Sequence, residues 1–111
     1  MKLPEADRVR IDEQKIRSYL LSRTHPVGRF KARVFAALGF DEGSSQAFVS
    51  ELRRIAADGE VAEVEDTEFG RKYTVPGGLN GPLGSAQVLT IWIQDAGKSE
   101  VRLVTVRPRW P

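Results

Sequence analysis

Along this 111-residue chain the hydrophobic repeat changes at Asp58-Gly59, from a period near 3.6 to a period of two. Before that point the apolar residues recur as helical stripes, and after it they alternate as in strands. The chain therefore reads as α+β, with three N-terminal helices packed on one face of a roughly four-stranded antiparallel sheet. Residues 1–58 supply the helical part and 60–107 the sheet of what reads as a single domain.

The first helix is expected over about 12–22, capped by Asp12, with Ile16, Tyr19 and Leu20 as its apolar stripe. Pro26 suits the first position of a helix, so the second helix is expected to begin at His25. At about 100° per residue, Val27, Phe30, Val34, Phe35 and Leu38 fall on one side of it and Arg29 and Arg33 on the other. Gly39 is expected to close this helix in the left-handed conformation, followed by Phe40 as its hydrophobic contact. A third helix, over 45–57, places Phe48, Leu52, Ile55 and Ala56 on one face.

The strands read less evenly. Residues 60–65 form a weak acidic strand, expected at a sheet edge. In 70–76, Arg71, Tyr73 and Val75 share one face, and Lys72 and Thr74 the other. The glycine-rich run 77–84 reads as a turn-forming connection. The strongest strand is 86–94, apolar on both faces and therefore central; helices are expected on one side of it, with Thr90 and Trp92 used on the other. The last strand is expected to turn Val104 and Val106 inward, leaving Thr105 and Arg107 on the polar side.

Composition narrows the chemistry. There is no cysteine and one histidine, so a disulfide framework or cysteine-based metal site is excluded, and a zinc site is disfavoured. No cofactor is expected. Phosphate-loop, dinucleotide and nucleophile-elbow signatures are absent. No apolar run reaches membrane-spanning length and the first residues are polar, which makes the cytoplasm the expected compartment, with no membrane partner. Charge is uneven: residues 1–40 carry nine Lys/Arg against four Asp/Glu, 41–68 two against nine, and 69–111 six against two. Folding the two basic ends together would make a face that attracts a polyanion such as RNA.

Within this pattern Lys31 is out of place. It lies between Val27, Val34, Phe35 and Leu38, so its stem could run along the core and release the ammonium at an edge or cleft, the ordinary alternative being a snorkelling boundary lysine. His25 lies a turn and a half earlier. Imidazole, ammonium and a helix N-terminus all favour an anion.

Three segments taken together, Tyr19 through Phe35 with its His25-Pro26-Val27-Gly28-Arg29-Phe30-Lys31 core, Phe69 through Val75, and Gly81-Pro82-Leu83-Gly84 with Thr90-Ile91-Trp92-Ile93 and Arg102-Leu103-Val104-Thr105, are similar to an uncharacterised bacterial domain family. Its members occur as small stand-alone proteins and at the C-termini of phage-head-type and polymorphic-toxin proteins. The toxin-associated members resemble the barnase, EndoU, colicin and RelE group of metal-independent ribonucleases. That resemblance implies helices before a four-stranded antiparallel sheet, RNA cleavage on the sheet's open face and a cognate immunity or antitoxin partner. It carries over His25, Lys31, Lys72 and Thr105 as catalytic residues and Tyr73 as a substrate contact. Phe69-Gly70 stands where Tyr-Gly is expected.

Such cleavage needs a base for the 2′-hydroxyl, an acid for the leaving 5′-oxygen and cations around the phosphorane. His25 is the candidate for proton transfer, Lys31 and Lys72 for charge stabilisation, and Thr105 for orienting the phosphate. Gly28, Tyr73, Trp92 and Arg107 complete the substrate-binding set, with Trp110 as a further stacking candidate. No second proton-transfer group is identifiable. Each residue also has an ordinary alternative: His25 as a helix cap, Tyr73 and Trp92 as packing, Arg107 as a solvated charge. The competing function is a non-catalytic protein- or RNA-binding module.

Overall fold

A computed structural model describes residues 1–22, 24–25 and 29–109. His25, where the second helix is expected to begin, lies in a bend, and the described helix starts at Arg29; Pro26, Gly28 and Trp110 lie outside the described residues. The order of elements is α1 (Glu13–Lys15), a π-helical turn (Ile16–Leu20), α2 (Arg29–Ala37), a 3₁₀ turn (Glu42–Ser44), α3 (Ser45–Asp58), β1 (Glu63–Thr67), β2 (Gly70–Gly81), β3 (Gly84–Asp95) and β4 (Val101–Pro108). The four strands form an antiparallel meander in sequence order. Among the described residues no helix is long and apolar enough to cross a membrane.

Asp12 caps α1 through bonds from the amides of Gln14 and Lys15, as expected, but the helix does not continue in α geometry. The Leu21 amide bonds the Ile16 carbonyl, five residues back. This wider turn brings Ile16, Leu20 and Leu21 together into the core and leaves Tyr19 half-buried at its margin. At the end of α2, Gly39 takes φ +98° and Phe40 is buried behind it, as the sequence implies. Ser45–Asp58 forms the third helix, and its Phe48, Leu52, Ile55 and Ala56 are buried.

The glycine-rich connection is instead strand. β2 runs to Gly81 and pairs with β3 down to Gly81↔Gly84, leaving only Pro82-Leu83 as the turn. Gly77 belongs to the strand because α3 lies on it: a Cβ there would come within 2.8 Å of Ile55. Gly81 is equally constrained, since a Cβ would fall 2.1 Å from the Leu38 carbonyl that receives the Leu83 amide. Absence of side chains here serves close packing, not chain reversal.

The register fixes the two faces. Tyr73, Val75, Gly77 and Leu79 lie opposite Trp92, Thr90, Val88 and Ala86, on the face that packs against Phe35, Phe48, Leu52 and Ile55. Thr90 and Trp92 therefore belong to the helix-covered side, which corrects the expectation that they serve the other one. They are fully buried, and Trp92 Nε1–H donates to Thr90 Oγ1 (2.8 Å), whose hydroxyl donates to the Val75 carbonyl (2.6 Å). That chain satisfies every polar group the two residues bring into the core.

Strand β4 changes phase midway. Thr105 pairs with Ile91 and Leu103 with Trp92, so Val104 has no partner of its own. Above this bulge Val106 turns inward and Thr105 and Arg107 outward, as expected; below it Val101 and Leu103 take the inner side, and Arg102 the outer. Val104 is half-buried and does not join Val106 in the core. Its carbonyl receives the Lys15 ammonium at 2.8 Å.

Candidate functional site

The outer face of the sheet carries three cross-strand rows: Glu65, Lys72, Ile93 and Arg102; Glu63, Thr74, Ile91 and Thr105; and Pro76, Leu89 and Arg107. Helix α2 lies beside the β4 edge, with Ala32 and Phe35 buried in the core. On a helix wheel Lys31 stands only about 40° from Phe35, so its stem cannot avoid the apolar interior. The ammonium escapes at the edge of the sheet, where it donates to Thr105 Oγ1 at 2.9 Å.

Three further groups meet this pair. The Tyr19 ring lies under the Lys31 ammonium, 5.6 Å from centroid to nitrogen, and meets the His25 ring edge-to-face at 4.8 Å. Arg107 shares with Lys31 a cavity of about 320 Å³ between α2 and the outer face. Lys15, held at the bulge carbonyl, is the third cation. Burial pushes the Lys31 pKa below the usual lysine value, and the positive charges of Arg107 and Lys15 lower it further. An ammonium crowded by like charge and partly desolvated is stabilised by an incoming anion.

The fold thus gathers His25, Lys31, Thr105 and Arg107 around one edge. Lys72 is on the same face but in an adjoining cleft of about 80 Å³, with Thr74, Ile91, Arg107 and the carboxylates of Glu63 and Glu65. Two strand spacings and one row separate Lys72 from Thr105, roughly 12 Å between their Cα atoms. Arg107 borders both clefts. Tyr73 and Trp92 are placed differently: at 2% and 0% exposure they face the helices, so neither can stack a substrate base. Their alternation with Lys72 and Ile91 is what turns them inward.

Sequence reasoning missed Tyr19, Lys15 and Phe30. Tyr19 passed for a core residue because an ordinary helix would align it with Ile16 and Leu20; the π turn is not visible in the residue pattern. Lys15 gains its place from the bulge at Val104, which alternation also conceals. Phe30 was legible. It sits about 140° from Phe35 on a helix wheel, between Arg33 and Val34, and it is 58% exposed rather than part of the core stripe.

With this geometry in view, comparison with known proteins adds a family and a fold. The family described as Domain of unknown function (DUF6883) matches residues 2–109. The chain belongs to the DUF6883 family. No curated protein matches it. Among solved structures, a chain of a contact-dependent growth inhibition toxin–immunity protein complex from Klebsiella pneumoniae 342 is similar, with TM-score 0.68 and 16% identity over 89% of this chain and 98% of that one. At that identity the likeness is one of fold.

Proposed function

We propose that this DUF6883 domain is a toxin-type endoribonuclease that cleaves RNA without a metal ion and is restrained by a cognate partner protein. The observation that carries the reading is the Lys31–Thr105 hydrogen bond, with Arg107 beside it and His25 one aromatic ring away. The toxin–immunity complex that shares the fold supports the partner.

In the proposed reaction His25 removes the proton from a ribose 2′-hydroxyl, whose oxygen attacks the adjacent phosphorus. The bond from phosphorus to the 5′-oxygen breaks, giving a 2′,3′-cyclic phosphate and a 5′-hydroxyl. Lys31 gives its proton to the departing oxygen, a role its lowered pKa favours. Arg107 and the Thr105 hydroxyl hold the non-bridging oxygens as charge accumulates on them. Tyr19 positions His25 and Lys31 relative to each other, and Lys72 contacts a neighbouring phosphate across the Arg107 boundary.

Purified protein incubated with transfer RNA in chelator should yield cyclic-phosphate ends, and His25→Ala should abolish them. Undiminished cleavage by His25→Ala would remove that residue from the mechanism. A second reading is a non-catalytic module that binds a protein or RNA, since the complex with the shared fold contains an immunity protein as well as a toxin. Under that reading the wild-type chain binds but never cleaves, and its high-level expression leaves bacterial growth unaffected.

A further inference from the structure

We infer that Phe30 and the cavity behind it form a stacking subsite for one unpaired nucleobase, next to the phosphate position at Lys31 and Arg107. This rests on the RNA reading above and names its substrate class: single-stranded RNA, bound with little regard to base identity.

Phe30 is a large aromatic on the outer side of α2, 58% exposed. A lone exposed apolar side chain is common on protein surfaces and carries no message. The surroundings of Phe30 differ from that case in two ways. The ring borders the 320 Å³ cavity, whose other apolar walls are Val34, Leu89 and Pro108. Two guanidinium groups also lie over it, Arg29 at 5.0 Å and Arg33 at 5.8 Å from the ring centroid.

Flat aromatic and guanidinium surfaces are what an unstacked base pairs with face to face. Among the described residues the only polar ones in the cavity wall are the cations Lys31 and Arg107, with no carboxylate beside them. A ligand that fits must therefore combine an anionic group with a flat, largely apolar one, as a nucleotide does. Among the described residues no amide or carboxylate side chain lies in the wall to read a base edge, so recognition by stacking would be tolerant of sequence. Bases inside a duplex are already stacked and could not enter.

The probe is a 2′-O-methyl oligoribonucleotide carrying a single 2-aminopurine, which cannot be cleaved because its attacking hydroxyls are blocked. Saturable quenching of 2-aminopurine by the wild-type chain is expected, with weaker binding of the same strand in a duplex. Phe30→Ala should abolish the quenching and weaken binding on the order of ten-fold, with an unchanged salt dependence, whereas Phe30→Trp should retain both signals. Lys31→Met and Arg107→Ala should instead each flatten the salt dependence by about one phosphate contact. If those two variants lose binding while Phe30→Ala quenches and binds like wild type, the stacking subsite is wrong and the RNA reading survives. If the wild-type chain gives no saturable binding, both fall. Equal binding of duplex and single strand would also overturn the subsite.

Discussion

The Lys31 ammonium and the Thr105 hydroxyl meet at 2.9 Å across the edge of the sheet, joining helix α2 to the face of β4 that the helices leave open. Lys31 reaches that face from the apolar side of its helix, and the location carries a cost. Its charge is partly desolvated and repelled by Arg107 and Lys15.

Replacing Lys31 with methionine should therefore separate function from stability. Methionine keeps the length of the stem and removes the unfavourable charge, so thermal denaturation at neutral pH should shift by no more than a few degrees, in either direction. RNA cleavage should fall by roughly a hundred-fold or more, as for loss of a general acid. A variant that unfolds far below wild type would mean the lysine is structural.

The same lysine sets opposite pH trends for stability and binding. Because its pKa in the folded chain lies below the ordinary 10.5, the unfolded chain binds more protons between the two values, and stability rises with pH across that window. Anion binding needs the ammonium and should fall over the same window. Urea denaturation and phosphate or oligonucleotide titration as pH is raised should show the two trends, and Lys31→Met should lose the lysine contribution to both.

In the proposed mechanism Tyr19 acts through its ring, which lies against both His25 and the Lys31 ammonium. Tyr19→Phe should keep cleavage within a few-fold of wild type and leave its pH profile unmoved. Tyr19→Leu, which retains apolar volume without the ring, should lower cleavage on the order of ten-fold or more, as misplacement of catalytic groups does. Equal activity of the phenylalanine and leucine variants would deny the ring a positioning role.

The buried Trp92–Thr90–Val75 chain predicts a purely structural effect. Thr90→Val removes the acceptor of the Trp92 indole and should destabilise the fold by about 1–3 kcal/mol, measured by urea denaturation. Oligonucleotide affinity of the folded variant should be unchanged. A selective loss of binding would return Trp92 to the substrate site.

Much of this arrangement is legible in the residues themselves. The change of period at Asp58-Gly59 gave the α+β layout, Asp12 and Gly39 marked true caps, and Lys31 stood out because a charge inside an apolar stripe demands an exit. What alternation cannot carry is a change of phase. The π turn at Ile16–Leu20 and the bulge at Val104 each insert a residue into a regular repeat, and these two places bring Tyr19 and Lys15 to the site. The glycines of β2 misled for a related reason: residue type records where a side chain is missing, but not whether a turn or the neighbouring Ile55 and Leu38 require it.

The extra residue in β4 also governs which changes of chain length the domain can survive. Were Val104 held in the ladder instead of bulged out of it, the alternation would run unbroken from Val101 to Pro108, and either Val101 and Leu103 would face solvent or Thr105 and Arg107 would face the core. A one-residue insertion between 102 and 106, which adds a second unpaired residue, should thus be far more damaging than deletion of Val104, which leaves Val101, Leu103 and Val106 inward, whereas the exposed turn at 96–100 can vary in length. Within the family, insertions should collect in that turn and be excluded from the bulge.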